Sequence, residues 1–86
     1  MRNMGIREVR MKRNMRAERV RNCYTIQDVA KIIGVHPNAV NRWELGKTKP
    51  SAENLISLCE LYGCSPEYLL GLTDERNGTA AVRGTD

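Results

Sequence analysis

The 86-residue chain has one histidine, three cysteines and three prolines, and no apolar run approaching the ~18 residues of a membrane-spanning helix. Each shortage removes a class of function. His36 has no second imidazole to work with, no Ser or Cys stands in a nucleophile context, and no paired carboxylates share a helical face with it, so an enzyme is not expected. Cys23, Cys59 and Cys64 form an odd set without the CxxC-like pairing that a zinc site with His36 would need. Cys59 and Cys64 instead fall on apolar helical positions and read as small buried hydrophobes. The N-terminus is basic but carries no apolar stretch, so no secretory leader and a reducing, cytoplasmic setting are expected. Nothing implies a cofactor, a metal, a small-molecule ligand or a membrane partner.

Basic charge is abundant and unevenly placed. The net charge is +4, yet residues 1–49 hold 12 Lys/Arg against 4 Asp/Glu, whereas residues 50–86 hold 2 against 6. The first part suits a phosphate polyanion, and the second suits a protein surface better. A chain this short can bury one core, which points to a single domain of packed helices or to a partner subunit.

The most informative stretch is AKIIGVHPNAVNRWELG, residues 30–46. Upstream, Thr25 can cap a helix beginning at Ile26, with Asp28 placing negative charge in its first turn. Ile26, Val29, Ile32 and Ile33 recur at helical spacing and predict one buried stripe. Gly34 can end that helix in the left-handed region, and Val35 can tuck back behind it. Ala30 leaves room for a close helix crossing, and Pro37 suits the first position of the next helix. Val40 and Trp43 then face inward while Asn38, Asn41 and Arg42 face outward. This is a helix-turn-helix whose outer face carries amides and a guanidinium, groups that match base edges.

Along the rest of the chain, residues 1–9 read as a basic N-terminal extension, open to being a flexible arm, a short strand or an early helical turn, 10–72 as the helix-turn-helix domain and 73–86 as a disordered tail with nothing to bury. Met11, Met15 and Val20 mark a first helix from about Val9 to Asn22. Helices two and three span about 26–33 and 37–44. Ser51 caps a fourth, in which Leu55, Leu58, Cys59 and Tyr62 recur at i, i+3, i+4, i+7 up to Gly63. Ser65-Pro66-Glu67 opens a fifth. Its Tyr68, Leu69, Leu70 and Leu72 either close the core or leave a patch for a second copy, with Tyr68, Leu69 and Leu72 as the candidate dimer residues.

Five short helices with this motif in the second and third resemble the phage-repressor family, the Cro/repressor or Xre-like helix-turn-helix domains. The resemblance covers about Met11 to Leu72, and its most specific part is WELGKTKPSAENLISLCELYGCSPEYLLGL. It implies an all-α, compact five-helix DNA-binding domain. It also implies base contacts from Pro37, Asn38, Asn41 and Arg42, and phosphate contacts from Thr25, the helix-end amides of Ile26 and Gln27, and Gly46, Lys47 and Lys49. Arg19 and Glu44 would form an architectural ion pair. Three positions depart from the family pattern. Ile26 stands where Gln is common, His36 replaces a Ser or Thr cap, and Cys23 takes a place often held by Gly, predicting a looser first turn.

The function so implied is sequence-specific binding of double-stranded DNA by a transcriptional regulator, a repressor acting as a homodimer at least on DNA. Two other functions fit parts of the pattern. One is an antitoxin-like protein-interaction regulator using the same helices. The other is an excisionase-type architectural factor, because YTIQDVAKIIGVHPNAVNRW also resembles the opening of excisionase and MerR-type winged regulators. Those folds continue into a hairpin wing, whereas residues 51–72 read here as two helices.

Overall fold

Local signals place four of the five helices in the computed structural model, which describes residues 5–77. The helices are α1 (Ile6–Arg21), α2 (Ile26–Ile33), α3 (Pro37–Leu45), α4 (Ala52–Tyr62) and α5 (Pro66–Leu69). Among the described residues there is no strand, so the segment after residue 46 forms α4 and α5 where an excisionase-type fold would have its wing.

The caps explain the boundaries. Thr25 and Asp28 form a reciprocal box: the Thr25 hydroxyl accepts the Asp28 N–H at 3.0 Å, and the Thr25 N–H donates to the Asp28 carboxylate at 2.9 Å. Ser51 and Ser65 accept the N–H groups of Asn54 and Tyr68. At α3 the cap is His36, whose Nδ1 accepts the Asn38 N–H at 3.0 Å. An imidazole lone pair therefore substitutes for the usual hydroxyl.

α1 ends without glycine. Cys23 itself enters the left-handed region at φ 62°, the Cys23 N–H donates to the Val20 carbonyl at 2.9 Å, and the Tyr24 N–H donates to the Arg19 carbonyl at 3.1 Å. The turn expected to be looser is fully hydrogen-bonded, at the cost of backbone strain in a residue with a Cβ.

The helix-turn-helix pair α2–α3 packs on α1, and α5 packs on both α1 and α4. Met11, Met15, Val29, Ala30, Val40, Trp43, Leu58, Cys59, Tyr62, Tyr68 and Leu69 form the shared core. Two apolar residues of the expected stripes lie outside it: Ile32 is 53% exposed and Val20 55%. On α1 their counterparts are polar, because Asn14 and Glu18 occupy the inner face beside Met11 and Met15. Asn14 donates from Nδ2 to the Tyr68 carbonyl at 2.8 Å.

Of the conformations left open for the N-terminal extension, residues 6–9 take the helical one and form the first turn of α1. Gly71 lies close against this turn: it is buried with φ 81°, and a Cβ at that position would collide with the Arg7 carbonyl and crowd the Met11 amide. Residues 73–77, placed by sequence in a disordered tail, fold back on the helices. Thr73 is buried, Asp74 meets Arg10 and Arg13, and the Arg76 carbonyl accepts the Ser65 N–H at 2.7 Å. Apolar content was the wrong guide, because this segment is held by charge and hydrogen bonds. Residues 1–4 of the extension and 78–86 of the tail lie outside the described residues.

Candidate nucleic-acid interface

α3 turns Val40 and Trp43 into the core and leaves Asn38, Asn41 and Arg42 exposed on its other side, with Pro37 half-buried at its first position. This division follows from helical geometry, since the polar residues fall between the two buried ones around the axis. Gly46 at φ 78° closes the helix, its N–H donating to the Trp43 carbonyl at 3.1 Å and the Lys47 N–H donating to the Arg42 carbonyl at 2.9 Å. Lys47 and Lys49 emerge exposed from that turn, and neither joins an ion pair among the described residues.

The start of α2 is more constrained than a free helix end. The Thr25 N–H is already spent on Asp28, so it cannot also grip a phosphate. The amides of Ile26 and Gln27 belong to the first turn, where no intrahelical acceptor exists, and they remain available. Hydrogen bonds from the Thr25 N–H and hydroxyl hold the exposed Asp28 carboxyl below the usual carboxylate range. That negative charge offsets part of the positive helix end.

Arg19 and Glu44 connect α1 to the end of α3 through paired bonds, Nε to Oε2 at 2.8 Å and Nη2 to Oε1 at 3.0 Å. Arg19 also donates from Nη1 to the Tyr24 carbonyl at 3.0 Å, and its guanidinium pKa is raised chiefly by the Glu44 bond. Beneath the pair, burial together with Glu44 pushes the Tyr62 hydroxyl well up. Glu44 is thus committed to Arg19 and points away from the outer face.

An open groove of about 780 Å³ runs beside this ion pair, between α1 and α3 with Ile26 at its end. Lys12, Arg16 and Val20 form its α1 wall, while Asn41 and the half-exposed Leu45 form its α3 wall. Sequence reasoning took from α1 only Arg19 and missed Lys12 and Arg16. The signal was the run of Arg and Lys on α1 with few acids to pair them, but its position beside Asn41 depends on how the helices cross.

The candidate dimer residues divide. Leu69 is fully buried and Tyr68 is 8% exposed, so both belong to the protein's own core and are unavailable to a second copy. Their burial follows from α5 packing on α1 and α4. Leu72 alone of the three is exposed, at 52%.

A family model described as helix-turn-helix matches residues 6–69. Repressor protein C2 of Salmonella phage P22 is 43% identical over 42 residues, covering 49% of this chain and 19% of that protein. The HTH-type transcriptional regulator DicA of Escherichia coli K12 is 29% identical over 59 residues, covering 69% of this chain and 44% of DicA. The chain therefore spans less than half the length of these curated relatives. A crystal structure of the P22 c2 repressor in complex with a synthetic operator superposes with a TM-score of 0.66 at 36% identity, over 69% of this chain and 89% of that one. With the all-helical fold, the exposed face of α3 and a family match across all five helices, the chain belongs to the helix-turn-helix family of phage-repressor, Xre-like type.

Proposed function

We propose that the chain binds double-stranded DNA in a sequence-specific manner and regulates transcription, acting as a repressor in the cytoplasm. The observation that carries this reading is the exposed Asn38, Asn41 and Arg42 face of α3, which a helix seated in the major groove would turn toward base edges. Arginine forks onto guanine, and asparagine pairs with adenine. Pro37 would lie against the bases at the helix start.

Phosphates would be held from three directions. Lys47 and Lys49, with the Gly46 turn, flank one side of α3, and the Ile26 and Gln27 amides with the Thr25 hydroxyl flank the other. Lys12 and Arg16 extend the positive surface along α1. Such contacts set register and orientation, while the α3 side chains set sequence. Occupying promoter DNA would suffice for repression.

Two copies related by a two-fold axis would place their α3 helices in successive major grooves. The site would then be an inverted repeat with half-site centres roughly 10 base pairs, about 34 Å, apart. With Tyr68 and Leu69 buried, Leu72 is the remaining candidate contact on that end of the molecule. Selection of bound fragments from a random DNA pool, followed by sedimentation of the complex, tests the whole reading. An enriched inverted repeat carrying two chains supports it. No enrichment at low salt would refute sequence-specific binding and favour the protein-interaction alternative, and one chain on an asymmetric site would refute the dimer alone.

A further inference from the structure

The corner between α4 and α5 brings two thiols together. Gly63 stands in the left-handed region at φ 69° and ψ 41°, and the carbonyl of Cys59 accepts both the Gly63 N–H at 2.8 Å and the Cys64 N–H at 3.2 Å. A bond from the second residue past the helix to the fourth from its end folds those two side chains toward each other. Where helices end in this way, that contact frequently joins two hydrophobic groups. Here both residues are cysteines, Cys59 in the core and Cys64 packed against it.

The contact polarises the pair. Pairing with Cys64 draws the Cys59 thiol down, and pairing with Cys59 together with burial pushes the Cys64 thiol up. Cys59 is buried, whereas Cys64 is half-buried and opens the corner toward solvent. Cys23, the third cysteine, is exposed at the end of α1 on a different turn.

We propose that Cys59 and Cys64 form a redox-modifiable dithiol, oxidised by hydrogen peroxide to an intramolecular disulfide across the Gly63 turn. The Cys59 thiolate attacks one peroxide oxygen, the O–O bond breaks, and the departing hydroxide takes up a proton to leave as water. Cys59 is then a sulfenic acid. The Cys64 sulfur attacks the Cys59 sulfur, the S–O bond breaks, and the hydroxyl leaves with the Cys64 proton as a second water. Two thiols and one peroxide thus give one disulfide and two waters. The bonded sulfurs must close to about 2.0 Å, which the Gly63 turn favours by folding the two side chains toward each other. Because the closed loop is short, the entropic effect on stability is small, and the modification is read chemically.

The experiment treats the reduced full chain with hydrogen peroxide, alkylates it under denaturing conditions and maps the peptides by mass spectrometry. The expected product has lost two hydrogens, carries a Cys59–Cys64 link that dithiothreitol reverses, and leaves Cys23 open to alkylation. Cys64→Ser should abolish the link and leave a Cys59 sulfenic acid that dimedone traps, while Cys23→Ser should form the link as readily as the parent. Oxidation confined to Cys23, as its greater exposure alone would favour, or full alkylation of Cys59 and Cys64 after peroxide would overturn the proposal. None of these readouts involves DNA, so the result stands apart from the function proposed above.

Discussion

Glu18 of α1 and Arg76 lie 58 residues apart in the chain and meet in a two-pronged ion pair, Nε to Oε2 at 2.7 Å and Nη2 to Oε1 at 2.8 Å. Glu18 is 2% exposed, and Arg76 also donates to the Tyr62 carbonyl at 3.0 Å and the Gly63 carbonyl at 3.3 Å. The guanidinium pKa of Arg76 is raised chiefly by the Glu18 bond. One side chain therefore links the end of the described structure to α1 and to the α4–α5 corner.

Arg76→Ala strands a buried carboxylate and should cost about 3 kcal/mol, at the lower end for a broken buried pair because the arginine is partly exposed. Urea unfolding of the full chain at neutral pH measures it. A change under about 0.5 kcal/mol would show that Glu18 finds water or another donor.

Cys23→Gly should stabilise the fold. Relieving the left-handed strain returns about 1–2 kcal/mol, and the added freedom of the unfolded chain takes back about half of that, for a net gain near 0.5–1 kcal/mol. The same urea experiment reads it as a higher midpoint with an unchanged slope.

Arg42→Ala should lose about 1–3 kcal/mol on a selected site and much less on random DNA, and Asn38→Ala should behave likewise at its own base pair. Titrations against both DNAs at one salt concentration separate the outcomes. Equal losses on both would reassign Arg42 to the phosphates.

Lys47→Ala, Lys49→Ala and Arg16→Ala should each weaken every sequence similarly and flatten the plot of log K against log salt by about 0.9 units per lost phosphate contact. An unchanged slope for Arg16→Ala would confine the footprint to α2, α3 and the turn after α3. The same result for the lysines would leave that turn in solvent.

The capping box adds an acid-sensitive element. Because the folded state holds the Asp28 pKa below its unfolded value of about 3.9, its contribution is fully present above that value and is lost as pH falls through the folded pKa. Asp28→Asn should lower the urea midpoint at pH 7 and leave a difference from the parent that shrinks toward pH 2. A gap constant across that range would show that the charge of Asp28 plays no part in the cap.

What could be read without coordinates was what short-range chemistry settles. The starts of α2 to α5 follow from Thr25, His36-Pro37, Ser51 and Ser65-Pro66, each acting on backbone groups two or three residues away. The outer face of α3 was legible for the same reason, since helical spacing alone sets Asn38, Asn41 and Arg42 opposite Val40 and Trp43. Distant partners decided the rest. The first turn of α1 lies against Gly71, where only a residue without a Cβ fits, residues 73–77 are ordered because Glu18 and Arg10 lie where Arg76 and Asp74 can reach them, and Leu69 is core because α1 covers it. Ile32 and Val20 stand outside because helix amphipathicity shows which side is apolar, not how far a neighbour extends over it. Lys12 and Arg16 join Asn41 in one groove only once the α1–α3 crossing is set. Periodicity and caps act over a few residues, whereas a crossing depends on the shape of the whole core.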